Sequence, residues 1–235
     1  MTGGPLIVQS DKTALLEVDH PQAADARHDL AVFAELERAP EHIHTYRISR
    51  LGLWNARAAG HDAEFVLGVL DRYAKFAVPS SIRADITETM GRYGRLVIRR
   101  DSNDELELVS DSYPVLMEAA KHRKIAELLG GKISELSFRV QPWARGALKQ
   151  ELLKLGWPAE DLAGYAEGTP HQIELGGQNW QIRGYQQHAV EKFWQGGSGV
   201  VVLPCGAGKT IVGAAAMATA KTNTLILVTN TVSAR

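Results

Sequence analysis

The 235 residues predict a multidomain chain of mixed α/β and α+β class, and three observations carry that reading. Apolar residues at helical spacing alternate with short apolar runs of strand length. Turn formers rich in Gly, Pro, Asp and Asn punctuate them. Breaks at Gly130-Gly131 and near Gln181 divide the chain into 1–130, 131–179 and 180–235.

Within residues 5–19, PLIVQ and TALLEV flank the polar turn Ser10-Asp11-Lys12, a hairpin signal. Over 21–38 the apolar positions Leu30, Val32, Phe33 and Leu36 recur at helical spacing, and Pro40 ends the run. Residues 42–48 alternate as a strand. Ser49 is placed to cap a helix reaching Ala59, with Leu51, Trp54 and Ala58 on one face and Gly60 closing it. Asp62 caps a second helix with the stripe Phe65, Val66, Val69, Leu70 and Tyr73. Pro79 opens a third carrying Ile82, Ile86 and Met90. Residues 95–100 and 105–110 form two strands around Asp101-Ser102-Asn103-Asp104. Three short helices and a hairpin outline a winged-helix-like domain, completed by a helix over 113–129.

The middle block opens with a strand at 137–141 and a helix at 142–155 whose apolar face includes Leu148, Leu152 and Leu155. Past an acidic stretch, 171–175 and 180–183 are strand candidates around Gly176-Gly177-Gln178-Asn179, so the block reads as a small α/β module. The last block runs helix (185–193), continuous apolar run (200–203), alanine-rich helix (209–220) and second apolar run (224–229). Such runs suit central parallel strands.

Composition sets limits on function. With 45% hydrophobic residues the chain can build real cores. Lys plus Arg number 26 against 27 for Asp plus Glu, a net charge of -1, so no global positive field draws it to nucleic acid or membrane. A single cysteine, Cys205, excludes an internal disulfide framework and fits a reducing cytoplasm. The start MTGGPLIVQSDK lacks a signal-like pattern, and nothing approaches the roughly 20 apolar residues of a membrane helix. A cytoplasmic, unanchored protein is expected.

The strongest chemical signal is Leu203-Pro204-Cys205-Gly206-Ala207-Gly208-Lys209-Thr210, set between an apolar run and a helix start. A helix N-terminus offers unpaired N–H groups and about half a positive charge to an anion. Gly206, Ala207 and Gly208 would let the backbone approach phosphates, Lys209 would reach the β- and γ-phosphates, and Thr210 would ligate Mg²⁺ through the nucleotide. Leu203 stands where the general pattern has its first glycine.

Upstream, Ile182-Arg183-Gly184-Tyr185-Gln186-Gln187 resembles the glutamine motif of superfamily 2 helicases, many of which also lack that first glycine. LPCGAGKT, preceded by R-x-YQ and followed by LVTNTVSAR, is similar to the XPB family of that superfamily. PLIVQSDKTALLEVDHP, HIHTYRIS and LGLWNARAAG resemble the N-terminal domain of its bacterial members, and ELSFRVQPWARGALKQELLKLGWPAEDLAGY the module described there as a DNA-damage-recognition domain.

The resemblance implies an ATP-dependent 3′-to-5′ DNA helicase or translocase of nucleotide excision repair, with ATP and Mg²⁺ as cofactors. DNA and a repair nuclease or other repair protein are its implied partners. Gln186 would read the adenine edge with Arg183 supporting it, Lys209 and Thr210 would be catalytic, and Thr229 and Asn230 would meet the DNA backbone. Residues 180–235 would begin the first RecA-like domain. The family's acidic DExH-type box, Arg-Glu-Asp loop, thumb-like insertion and second RecA-like domain do not lie within these 235 residues, so this stretch alone is expected to hydrolyse no ATP. Two strands and two helices bury too little for such a core, so apolar surface should be exposed from about residue 180 onward. The alternative reading is a DNA- or protein-binding adaptor module without catalysis.

Other groupings carry weaker expectations. His42 and His44, on one side of a strand, read as ordinary strand histidines. Asp101, Asp104, Glu105 and Glu107 read as a solvated hairpin tip. Lys121-His122-Arg123-Lys124 and the set Arg92, Arg95, Arg99 and Arg100 are candidate DNA contacts. Trp143, Trp157 and Cys205 read as packing residues.

Overall fold

A computed structural model describes residues 3–176, 181–197 and 199–228. By its contacts the chain divides into two units, Met1–Gly164 and Tyr165–Arg235.

The first unit holds two cores. In the first core, β1 (Leu6–Val8) and β2 (Thr13–Glu17) form the expected antiparallel hairpin. Its turn is made by Asp11, whose carboxylate accepts from the Thr13 N–H at 3.0 Å, and by Lys12 at φ +70°. After α1 (Ala23–Leu30), β3 (Glu35–Arg38) and β4 (Ile43–Arg47) complete a sheet of order β1-β2-β4-β3. The helix expected over 21–38 therefore stops at Leu30. Phe33 turns into the core, and Glu35–Arg38 takes ladder bonds from β4 instead, leaving Leu36 exposed on the edge strand. Cross-strand pairing overrides the local helical period here.

Three helices pack against this sheet. Ser49 Oγ accepts from Gly52 N–H at 3.0 Å to start α2 (Arg50–Ala58), and Asp62 accepts from Phe65 N–H at 2.8 Å to start α3 (Ala63–Tyr73). Pro79 precedes α4 (Ser80–Gly91). On α3, Val66, Val69, Leu70 and Tyr73 are buried as the spacing predicts but Phe65 is exposed, and on α4 Ile82, Ile86 and Met90 are buried. On α2 the buried face is instead Gly52, Leu53, Trp54 and Ala56, with Leu51 and Ala58 outside. Trp54 Nε1 donates to the Thr89 carbonyl of α4 at 2.8 Å, and that bond turns the helix.

Gly52 permits the close approach of α2 to Phe33, because a Cβ there would lie 2.4 Å from the Phe33 carbonyl oxygen. Gly52→Ala should therefore cost about 1–3 kcal/mol in urea denaturation through backbone displacement. Gly68→Ala, on exposed α3 surface with nothing within 4 Å, should be neutral or stabilising.

The second core is built on β5 (Leu96–Arg100) and β6 (Leu106–Ser110), followed by α5 (Tyr113–Lys121), α6 (Arg123–Ala126), β7 (Leu129–Ser134) and β8 (Ser137–Val140). A 3-10 turn, Pro142–Ala144, leads into α7 (Arg145–Leu155), and β9 (Ala159–Asp161) closes the set. The sheet order is β7-β8-β6-β5-β9, with β9 parallel to β5 and the remaining pairs antiparallel.

This arrangement corrects the winged-helix expectation. The β5–β6 hairpin is the middle of a five-stranded sheet, and Leu96, Ile98 and Leu108 are fully buried in one cluster with Leu116, Ile125, Leu148 and Leu152. A solvent-facing wing would leave such side chains in water. The expected boundary at 130/131 falls inside β7. Gly130-Gly131 marks a register shift between Leu129 and Lys132, where a Cβ on Gly130 would lie 3.0 Å from Arg139 Cβ. Thus 137–161 completes the sheet begun by 96–110, and the acidic stretch after Pro158 becomes a strand. The helix expected over 113–129 breaks at His122, and β7 follows it.

In the second unit, α8 (Gly184–Gly196) and α9 (Lys209–Ala220) share a small core of Val190, Val212 and Ala215, with Ile182, Ala189, Leu203 and Ala216 packed against it. Residues 171–175, 200–203 and 224–228 form no strand, and the pairing described there is a single antiparallel bridge, Pro170 to Thr222. Val200 is 89% exposed and Leu227 84%, as the small count of elements led us to expect. Apolar runs of this kind become buried strands only with strand neighbours and covering helices, and the described residues of this unit supply no strand neighbour. Residues 177–179 of the expected turn, residue 180 of the strand candidate after it and residue 229 of the second run lie outside the described residues. Among the described residues no helix is long and apolar enough to cross a membrane.

Candidate functional site

The loop before α9 is shaped by two glycines. Gly206 has φ +78°, and Gly208, the N-cap of α9, has φ +78° and ψ 43°, a left-handed conformation that disfavours any residue with a Cβ. The Gly208 carbonyl accepts from Ile211 and Val212 N–H at 3.0 and 3.3 Å and so starts the helix. Lys209 folds over the loop, its Nζ donating to the carbonyls of Leu203 at 3.0 Å and Pro204 at 3.1 Å.

The segment that begins α8 reaches the same loop. Gln186 is 4% exposed; its Oε1 accepts from Arg183 N–H at 3.0 Å, and its Nε2 donates to the Ala207 carbonyl at 3.0 Å. Tyr185 Oη donates to that same carbonyl at 2.8 Å and accepts from Arg183 Nη1 at 3.3 Å. A Cβ on Gly208 would lie 2.5 Å from Gln186 Nε2, so glycine is what allows α8 and the loop to meet.

Between them lies a cavity of about 190 Å³ lined by Gln181, Arg183, Gln186, Gly206, Ala207 and Gly208, with Ile211 closing it. Five of the expected site residues thus come together: Arg183, Gln186, Gly206, Ala207 and Gly208. Lys209 and Thr210 are exposed at the start of α9 and do not line that cavity. Thr229 and Asn230 lie outside the described residues. Sequence reasoning gave Tyr185 no role, although its place one residue before Gln186 was the available signal. Cys205 is exposed on the loop instead of packed.

The candidate DNA contacts of the first unit look different once side chains are placed. Arg92 pairs with Glu88 at 2.6 Å and lies over the Trp157 ring at 5.0 Å. Arg95 pairs with Asp111 at 2.9 Å, Arg99 with Glu107 at 2.8 Å and Arg100 with Asp104 at 3.3 Å. Each guanidinium already faces a carboxylate, which weakens the pull on a phosphate. Asp101 and Glu107 are not solvated tip residues. Arg139 bonds Asp101 at 2.8 Å and holds its carboxyl below the usual range, aided by the Glu105 and Asn103 N–H groups. Lys121-His122-Arg123-Lys124 is exposed. Trp143 is 71% exposed, contrary to the packing expectation, whereas Trp157 packs against the second core. His42 Nδ1 lies 3.1 Å from Asp19.

The loop thus combines a left-handed glycine pair and a lysine at the first helical position with Tyr185 and Gln186 bonded to its Ala207 carbonyl. The family described as "Helicase conserved C-terminal domain" matches residues 6–134, more than half of the chain, and "Type III restriction enzyme, res subunit" matches 179–233. Over its whole length the chain is 62% identical to the DNA 3′-5′ helicase XPB of Kineococcus radiotolerans and 60% identical to that of Mycobacterium tuberculosis. Over 97% of its length it is 30% identical to the general transcription and DNA repair factor IIH helicase/translocase subunit XPB of Encephalitozoon cuniculi. The chain belongs to the XPB-type helicase family. It spans 42%, 43% and 35% of the length of those three relatives.

Proposed function

We propose that the whole protein to which this chain belongs is an ATP-dependent DNA helicase or translocase moving 3′ to 5′ in nucleotide excision repair. Residues 180–235 begin its first RecA-like domain. Gly206, Ala207, Gly208, Lys209 and Thr210 hold the triphosphate, Lys209 neutralises charge developing on the transferred phosphoryl group, and Thr210 ligates a nucleotide-bound Mg²⁺. Arg183 and Gln186 recognise the base, and Thr229 and Asn230 follow the DNA backbone. DNA and a repair nuclease or other repair protein are the partners, with the first unit engaging them.

One observation carries the reading: the glutamine-motif residues Arg183 and Gln186 line the same cavity as Gly206, Ala207 and Gly208. A base reader and a phosphate cradle must adjoin for one nucleotide to span both. The Gln186 amide bonds Arg183 and Ala207, so base recognition requires it to exchange those bonds for the adenine edge.

The test is strand displacement by the full-length protein on duplexes with a single 3′ or 5′ tail. Unwinding of the 3′-tailed duplex with ATP, and little of the 5′-tailed one, is expected. Equal unwinding of both, or turnover indifferent to DNA, contradicts the proposal.

A further inference from the structure

We infer that Tyr185 is a positioning residue for the phosphate loop: its hydroxyl fixes the orientation of the Ala207–Gly208 peptide and so aims the Gly208 N–H at the bound phosphates. The inference rests on the nucleotide reading of the loop and goes beyond it by assigning a role to a residue outside the phosphate-binding and base-reading sets.

Among the described residues no peptide bond is cis, and in a trans peptide the carbonyl oxygen and the following N–H point in opposite directions. The Ala207 oxygen accepts from Tyr185 Oη at 2.8 Å and Gln186 Nε2 at 3.0 Å, both on the α8 side of the loop. With the oxygen held towards α8, the Gly208 N–H must face the other way. Gly206 and Gly208 on either side of Ala207 have φ +78°, and glycine backbones rotate at little steric cost. That peptide would otherwise be free to flip, presenting a carbonyl where an anion needs a donor.

The two clamps are not equivalent. Gln186 is proposed to give its amide to the base, and when it does, its bond to Ala207 is lost. Tyr185 has no such second duty. Its hydroxyl also accepts from Arg183 Nη1 at 3.3 Å, a charge-assisted bond that polarises the O–H towards Ala207. Tyr185 is therefore the clamp that holds the peptide while the glutamine is occupied.

The experiment compares full-length wild type, Tyr185→Phe and Lys209→Ala for turnover of ATP and GTP and for binding of fluorescent ADP. The phenylalanine keeps the half-exposed ring and removes only the hydroxyl. Loss of the hydroxyl's bonds to Ala207 and Arg183 should raise KM for ATP and Kd for ADP about fivefold, with kcat within about twofold. ATP and GTP should both bind more weakly, because the clamp acts on the cradle of phosphates common to the two, and any change in their ratio reports the lost Arg183 contact. Unchanged KM and Kd in Tyr185→Phe, or weakening confined to ATP with GTP unaffected, overturns the inference and leaves the nucleotide reading standing if Lys209→Ala still loses binding. Full nucleotide retention by Lys209→Ala defeats the nucleotide reading itself, and the inference with it.

Discussion

Replacing Lys209 by alanine in the full-length protein should lower DNA-stimulated ATP turnover by about 10²–10³-fold, the loss seen when one preorganised transition-state donor is removed. Lys209 is the first residue of α9, and its ammonium now rests on the neutral carbonyls of Leu203 and Pro204 at 3.0 and 3.1 Å. Those contacts keep the charge at the loop, and moving it onto β- and γ-oxygens exchanges neutral acceptors for anionic ones. Alanine removes the charge without disturbing the fold, because Lys209 is exposed and alanine suits a helix start. The variant should thus melt with the wild type while losing turnover. Phosphate release within tenfold of wild type at saturating DNA would remove Lys209 from the mechanism.

Much of the first unit could be read from local signals. Ser49, Asp62 and Pro79 start their helices where the capping pattern puts them, and the stripes on α3 and α4 are buried as spacing predicts except for Phe65. What escaped was set by partners distant in sequence. Leu36 continues a helical period, yet Glu35–Arg38 pairs with β4. Gly130-Gly131 looks like a linker because a register shift and a linker both favour glycine. The acidic residues Glu160 and Asp161 lack the apolar alternation of a strand, and become one because Val97 and Ile98 offer free ladder positions. The shape of the loop before α9 was legible, since Gly206, Gly208 and the helix start they lead into are adjacent in sequence. Tyr185 was not, because its role depends on where a carbonyl 22 residues away points. Val200 and Leu227 show the opposite limit, where apolar runs shaped for a sheet find no strand neighbour among the described residues.

The second large effect concerns Asp161, at the end of β9. Its carboxylate accepts from Arg145 at 2.7 and 2.9 Å, from Lys149 at 2.9 Å and from the Ala163 N–H at 3.2 Å. Asp161 is 10% exposed and Arg145 19%, so the pair ties α7 to β9 in a poorly solvated place. Asp161→Ala removes the acceptor shared by two cations and should cost about 3 kcal/mol in chemical denaturation. Burial alone would push the Asp161 carboxyl up, but Arg145, Lys149 and the Ala163 N–H together outweigh it and hold the carboxyl below its ordinary value of 3.8. A carboxyl depressed in the folded state stabilises fully above its unfolded value, and that contribution is lost as pH falls through the folded one. The isosteric Asp161→Asn variant cannot titrate. Its stability deficit against wild type should stay constant from about pH 7 to pH 5 and shrink below about pH 4, as wild-type Asp161 takes up its proton. A deficit that persists unchanged into that acid range, or one that is absent at neutral pH, would show that this carboxylate does not hold α7 on the sheet.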